Sequence, residues 1–307
     1  MVDLSSWVRG EREPGGDEQK RWYKAPSGSE HEGHWLFKPR RIKEVPLSRE
    51  RLEHGESPDV LVRGNDWAEK IAYELAKLIE IPSVVTELAS LVREAETVVG
   101  SMSRDMRPMD WQLSSGATLL AEQDEHFDAD TCRGHTVEGI NTVLDGITGP
   151  PRSSYEHWQA FDVFVGYLIF DAWIANTDRH PHNWGVLQAP NGTVYLAPSF
   201  DHGSCLGSGM GDDNRARVLA RDVAAWCEKG RARTFDMPRR TTLIDVAAAG
   251  LRTAQLAART HWRHQLSQVE AQVCDDVVDS VPELSGPTRS FIKEVLTINR
   301  RRLLDVI

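Results

Sequence analysis

The stretch Asn176-Thr177-Asp178-Arg179-His180-Pro181-His182-Asn183-Trp184 decides how the chain is read. It follows a long amphipathic run and precedes a short excursion that ends in Ser199-Phe200-Asp201-His202-Gly203. Trp184–Gln188 alternates as a strand does, Ala189-Pro190-Asn191-Gly192 carries turn chemistry, and Thr193–Ala197 reads as the returning strand. Antiparallel strands joined in this way bring their outer ends together, so Asn183 comes beside the segment that carries Asp201, 18 residues further on. Two oxygen ligands converging there suit Mg²⁺, which takes few carboxylates and completes its shell with water and phosphate oxygens. Asp178, upstream in a polar loop, can face a hydroxyl that attacks. An Asp, an Asn five residues later and a second Asp beyond a hairpin imply a base placed beside a metal site for phosphoryl transfer.

Ala175–Trp184, and again Leu196-Ala197-Pro198-Ser199-Phe200-Asp201-His202-Gly203, resemble the HipA-like kinases. The Asp-Arg-His-x-x-Asn core is also similar to that of the phosphoinositide 3- and 4-kinases. The resemblance runs from Arg21 to the C-terminus and is specific in this block. It implies an α+β, bilobal protein-kinase-like fold, with a small β-rich N-lobe carrying one helix and a larger, mostly helical C-lobe. By that resemblance Asp178 is the catalytic base, Asn183 and Asp201 hold Mg²⁺, ATP is the donor and a protein Ser or Thr is the acceptor. His180 is grouped with Asp178 as a catalytic-loop residue, bracing the loop by hydrogen bonding or acting in catalysis.

A chain of 307 residues can bury a sizeable core in one large or two modest domains. With 40% hydrophobic and 27% charged residues the composition is that of a soluble globular protein. Apolar runs fall short of the ~20 residues a membrane helix needs. Met1-Val2-Asp3-Leu4-Ser5-Ser6-Trp7 has neither the basic nor the apolar region of a secretory signal. Four scattered cysteines, Cys132, Cys205, Cys227 and Cys274, read as reduced thiols of a cytoplasmic protein. A net charge of −10 argues against nucleic acid as a partner.

Residues 1–20 are polar and glycine-broken. They read as a disordered arm, or, through Gly15-Gly16, as a glycine-rich loop over nucleotide phosphates. Arg21–Ala25 and His34–Pro39 form two short strands around a Pro26-Ser27-Gly28 turn. Lys38 ends the run Trp35-Leu36-Phe37, where a strand lysine can grip the α/β-phosphates; Trp-Leu-Phe-Lys-Pro also resembles the phosphate-binding strand of the family. Asp66–Glu80 is an amphipathic helix with Trp67, Ile71, Leu75 and Leu78 on one face, capped by Asn65 or Asp66. Glu69 and Glu74 both compete to pair with Lys38, and the family-like position selects Glu69.

Ser83–Ala89 and Glu96–Ser103 read as strands, and the end of the second approaches a hinge where adenine lies against Ser101, Met102 and Ser103. The lobe boundary falls between Gly100 and Gln123 and is set at 105/106. Residues 1–105 are then the N-lobe with the nucleotide-binding sheet and helix; residues 106–307 are the C-lobe with the catalytic loop, metal site and helical bundle. Tyr155–Ala175 carries Trp158, Phe161, Val165, Leu168 and Ile169 at helical spacing and delivers Asp178 rigidly. Gly203, Gly207, Gly209 and Gly211 mark a flexible lid-like segment around an incidental Cys205. Val218–Glu228, Thr242–Leu256, His264–Val278 and Thr288–Leu304 read as helices, with Ala247-Ala248-Ala249 packing closely and Arg300-Arg301-Arg302 snorkelling or solvated.

The function expected is an ATP- and Mg²⁺-dependent protein serine/threonine kinase. Phosphoinositide or small-molecule kinases, and a nucleotide-binding pseudokinase scaffold, are the alternatives within the same architecture. A metal-dependent hydrolase built on Asp178, His180, His182, Asp201 and His202 is a further class, weakened by Pro181 between the two histidines.

Overall fold

The computed structural model of the chain describes residues 1–13, 20–45, 59–93 and 96–307. The first third supplies eight strands: β1 (Val2–Asp3), β2 (Val8–Arg12), β3 (Arg21–Lys24), β4 (His34–Pro39), β5 (Ile42–Val45), β6 (Asp59–Val62), β7 (Thr86–Arg93) and β8 (Glu96–Arg104). Six of them form one sheet in the order β1-β7-β8-β4-β3-β2, and β5 pairs with β6 as a separate ribbon. In the sheet only β1 against β7 is parallel. Phe37 opposes Met102 and Lys38 opposes Ser101. The two-residue period therefore turns Phe37 and Met102 to one face, where they pack with Tyr23, Trp35 and Leu91, and Lys38 to the other.

The N-terminal residues expected as a disordered arm instead contribute two strands. Val2 pairs with Ala89, Val8 pairs with Lys24, and Leu4 is 1% exposed in the sheet's own core. A polar segment is recruited here because each flanking edge offers unpaired backbone groups. Gly15-Gly16, and with it the glycine-rich loop, lies outside the described residues.

Helix α1 (Asn65–Leu78) buries Trp67, Ala68, Ile71, Ala72, Leu75 and Ala76. Its N-cap is Gly64, not Asn65 or Asp66. Asn65 accepts from the Arg41 backbone N–H at 2.9 Å, and Asp66 accepts from Arg40 Nε at 2.8 Å. Both side chains tie the helix to the exit of β4, which leaves neither to cap it.

Beyond Arg104 come β9 (Gln112–Ser115), α2 (Gly116–Gln123), α3 (Val137–Val143), α4 (Ala160–Trp173), β10 (Gly185–Gln188) and β11 (Val194–Leu196). The expected hairpin is present as β10 and β11, with β9 added as a third strand on the other side of β10. Helix α4 is buried at every one of its 14 positions rather than along one stripe, which makes it the central helix of the fold. Helices α5 (Asp212–Arg221), α6 (Val223–Cys227), α7 (Leu243–Thr253), α8 (Leu256–Gln268), α9 (Ala271–Ser280) and α10 (Gly286–Leu304) surround it.

Two expected helices are broken. Asp222 turns out of the first and caps α6 by accepting from the Ala225 N–H at 2.9 Å. Val269 and Glu270 are extended between α8 and α9. The glycine-marked segment after Asp201 is packed rather than free: Cys205 and Leu206 are fully buried, and Arg215 donates to the Gly207 carbonyl at 3.0 Å. Among the described residues no helix is long and apolar enough to cross a membrane.

Gly166 on α4 lets the helix approach α8. A Cβ there would lie 2.6 Å from the Trp262 ring and 2.9 Å from Ile81. Gly166→Ala is expected to destabilise the fold by about 2 kcal/mol through overpacking, despite the better helix propensity of alanine. Thermal unfolding followed by circular dichroism measures it, and an unchanged or raised Tm would contradict the packing described.

Candidate active site

The sheet, α1 and the Asp178 loop enclose a cleft of about 850 Å³. Lys38, Glu69, Ser103, Asp178, His180, His182, Asn183 and Asp201 all line it. Lys38 is 6% exposed, and its Nζ lies 3.1 Å from Glu69 Oε1 and 2.9 Å from Asp201 Oδ1. Glu74, the competing helix carboxylate, pairs instead with Lys70 and Lys77. Lys20, which the sequence reading did not single out, reaches Asp201 Oδ2 at 3.6 Å. Four segments separated in sequence, one of them helix α1, thus bring two cations and two carboxylates together.

The charges are unequal in consequence. Burial acts to raise the Asp201 carboxyl, but Lys38 and Lys20 outweigh it and hold Asp201 well below the usual carboxylate range. Burial lifts Glu69, against the opposing pull of Lys38. Glu69 also accepts the His202 backbone N–H through Oε2 at 3.1 Å, so one carboxylate fixes both the lysine and the segment after Asp201. Asp201 itself has φ 59°, in the left-handed region that non-glycine residues rarely adopt.

Opposite these groups, Asp178 Oδ2 accepts from the Ser204 hydroxyl at 2.9 Å. Asn183 donates its side-chain N–H to the Asp178 carbonyl at 2.8 Å, which leaves its amide oxygen as the atom able to meet a cation. His180 accepts the His182 backbone N–H on Nδ1 at 3.2 Å, and burial lowers its pKa despite the nearby Asp178 and Asp201 carboxylates. In this arrangement its ring is tied to the backbone of its own loop.

The loop's main support is Arg179, buried at 1% exposed, which sequence reasoning passed over. Its Nε and Nη2 bind both oxygens of Asp171 on α4, at 2.7 and 2.8 Å. Nη1 donates to the Asn183 carbonyl at 2.6 Å and to the Phe200 carbonyl at 3.3 Å. One guanidinium therefore joins the central helix, the Asp178 loop and the residue before Asp201. The signal lay in Asp171, an acid near the end of a mostly apolar helix and eight residues before an arginine.

His202 does not join the cleft. Burial drives its pKa far down, and its Nε2 accepts from Ser199 Oγ at 2.8 Å with Arg179 at 3.3 Å. The five-residue metal constellation is therefore not assembled, and among the described residues no group of three or more His, Cys, Asp or Glu side chains is placed to hold a metal ion. Asn183 and Asp201 remain as a hard-oxygen pair in the cleft, a donor set that fits Mg²⁺ only with ligand oxygens and water completing it.

Of the expected hinge residues, Ser103 lines the cleft, while Ser101 and Met102 do not, and the Met102 side chain sits in the sheet's core. The wall continues instead through Arg104, Asp105, Met106 and Arg107, with Leu36 and Val84 as apolar neighbours.

Residues 13–281 match the family model for the HipA-like C-terminal domain. The serine/threonine-protein kinase CtkA of Helicobacter pylori is 26% identical over 151 residues, which cover 47% of this chain and 45% of that protein. The chain thus matches less than half the length of that curated relative. In fold, the chain is similar to the crystal structure of a Helicobacter pylori proinflammatory kinase CtkA, with a TM-score of 0.70 and 16% identity, covering 100% of this chain and 96% of the other. It is also similar to Shewanella oneidensis HipA, solved with HipB and operator DNA, with a TM-score of 0.53 and 12% identity over 97% of this chain and 68% of that one. The chain, of mixed sheet and helix and matched over most of its length, belongs to the family of HipA-like C-terminal domains.

Proposed function

We propose that the protein is an ATP-dependent phosphotransferase acting on a Ser or Thr hydroxyl of a protein, in a bilobal kinase-like arrangement divided near residue 105. The observation that carries this is the convergence of Lys38 on Glu69 and Asp201 in one cleft faced by Asp178 and Asn183. The cleft volume of about 850 Å³ is that of a nucleotide-sized site. The protein-serine/threonine acceptor is supported by the likeness to the serine/threonine-protein kinase CtkA.

In this reading Lys38 serves the α/β-phosphates as a point charge, oriented by Glu69. Asn183 and Asp201 would hold Mg²⁺, which when bound neutralises charge on the transferred phosphoryl group. Asp178 receives the proton of the acceptor hydroxyl, at the carboxylate oxygen that Ser204 now occupies. His180 braces that loop. The adenine is best accommodated against residues 103–107, with Leu36, Val84 and Met106 as its apolar surfaces. A chain with four free cysteines and this donor requirement suits the cytoplasm.

Asp178→Asn is expected to abolish transfer while leaving MgATP affinity nearly intact, because proton acceptance matters only as the hydroxyl attacks. Asp201→Asn is expected to lose both, since a metal ligand acts already in the ground state. Nucleotide affinity by calorimetry, measured beside transfer of labelled phosphate, separates them. Equal behaviour would mean the roles are misassigned, and wild-type turnover in Asp178→Asn would remove the reading.

Lys38→Met should lower kcat/KM at least about a hundredfold, the scale of losing one electrostatic stabiliser. The neutral side chain should leave Glu69 without its cation and Asp201 with Lys20 alone, so Asp201 will titrate nearer its ordinary value. NMR of the labelled carboxylates reads that shift, and an unmoved Asp201 pKa would contradict the Lys38 pairing.

A further inference from the structure

We propose that a second cavity, on the far side of Ser204 from the cleft, is the acceptor pocket and selects a peptide in which an acidic residue flanks the Ser or Thr. This rests on the phosphotransferase reading. The cavity, about 290 Å³, lies between the Asp178 loop, the turns after Asp201, and α6, α7 and α10. Ser204 lines both this cavity and the cleft, and its hydroxyl donates to Asp178. The proton-accepting carboxylate is therefore bonded to a residue that the two cavities share. Phosphate reaches it from one side and a hydroxyl from the other, with Ser204 holding the place of the acceptor hydroxyl.

The lining chemistry names the acceptor. Met210, Trp226, Leu243 and Ile244 give an apolar wall. Lys229 and Arg302 also line it, and no Asp or Glu does, in a chain whose net charge is −10. Arg302 gives Nη1 to the Asn299 amide oxygen at 3.2 Å, and neither cation is salt-bridged among the described residues. An arginine that composition alone places on a solvated helix face thus lines a pocket. Two cations beside an apolar wall complement a carboxylate next to an apolar side chain, and they disfavour basic flanks. In the transfer itself the acceptor oxygen bonds to the γ-phosphorus and the bond to the β-bridging oxygen breaks. ADP leaves, and the hydroxyl proton passes to Asp178.

The test is a positional-scanning library of Ser and Thr peptides, incubated with the full chain, MgATP and a readout of ADP release. Preferred peptides should carry Asp or Glu within a few residues of the acceptor. The double variant Lys229→Glu/Arg302→Glu should lose about tenfold in kcat/KM on those peptides, the scale of one charge-assisted hydrogen bond. It should also turn the preference toward Lys and Arg, a gain that misfolding cannot produce, while Lys229→Arg/Arg302→Lys keeps the acidic preference. Peptides phosphorylated with a flat or basic preference, or an unaltered preference in the reversed variant, would overturn the inference and leave the phosphotransferase reading standing. Phosphate accumulating on Ser204 with unlabelled peptides would overturn it too. Absence of both ADP release and transfer would remove the phosphotransferase reading, and the pocket assignment with it.

Discussion

The buried pair of Arg179 and Asp171 is the constraint on which the candidate site depends. Two charges are removed from water at 1% and 2% exposure, a cost that only full hydrogen bonding can offset. Every contact made in meeting that requirement does positional work. The forked guanidinium matches the Asp171 carboxylate, which Asn176 also supports through a 2.7 Å bond. Its Nη1 is directed to the backbone carbonyls of Asn183 and Phe200, and Nη2 also reaches Ser199 Oγ and His202 Nε2. A lysine has one charged nitrogen and could not reach all of these directions. Losing either partner would leave an uncompensated buried charge, a loss of about 3–5 kcal/mol, and would release both polar segments of the cleft together.

A second electrostatic centre works on the opposite principle. Lys38 is held between Glu69 and Asp201, but Asp201 keeps 30% of its side chain exposed and faces the cleft. The Arg179 network is closed by its own backbone acceptors, whereas the Lys38 centre is open toward a ligand. Lys38 and Lys20 together hold the Asp201 carboxylate ionised, which keeps it in the state a cation requires. The left-handed backbone at Asp201 is strain that persists because Glu69 and Arg179 bind the residues on either side of it.

What the sequence made legible was the local chemistry with strong periodicity or turn signals. The hairpin around Gly192 and helix α1 were visible because period and punctuation agree there, and the approach of Asn183 to the segment carrying Asp201 follows from that hairpin. The strands β1 and β2 were not visible, because their pairing depends on edges formed by residues 9 to 87 positions away, not on their own composition. The cap of α1 was misplaced since Asn65 and Asp66 are engaged by Arg41 and Arg40, a tertiary demand that overrides a local preference. Glycines after Asp201 suggested freedom, but the intervening Cys205 and Leu206 anchor that segment in the core. Arg179 was missed because its role needs five partners that only the folded chain assembles.

The core itself limits how the site can be controlled. Residues Trp67, Ile71 and Leu75 of α1 belong to the same continuous apolar cluster as Phe164, Tyr167 and Trp173 of the central helix. The sheet's far face has its own separate cluster. Helix α1 is thus packed with the helical part of the molecule, although it pairs with the sheet through Lys38. Swinging it away would re-expose Ile71 and Leu75, both fully buried, at roughly 2 kcal/mol for each side chain. The Lys38–Glu69 pair accordingly forms with the fold and does not wait for a nucleotide to assemble it. A centre built in this way leaves the Ser204 contact with Asp178, exposed and made by a single neutral hydroxyl, as a bond that a hydroxyl-bearing ligand would displace at little cost.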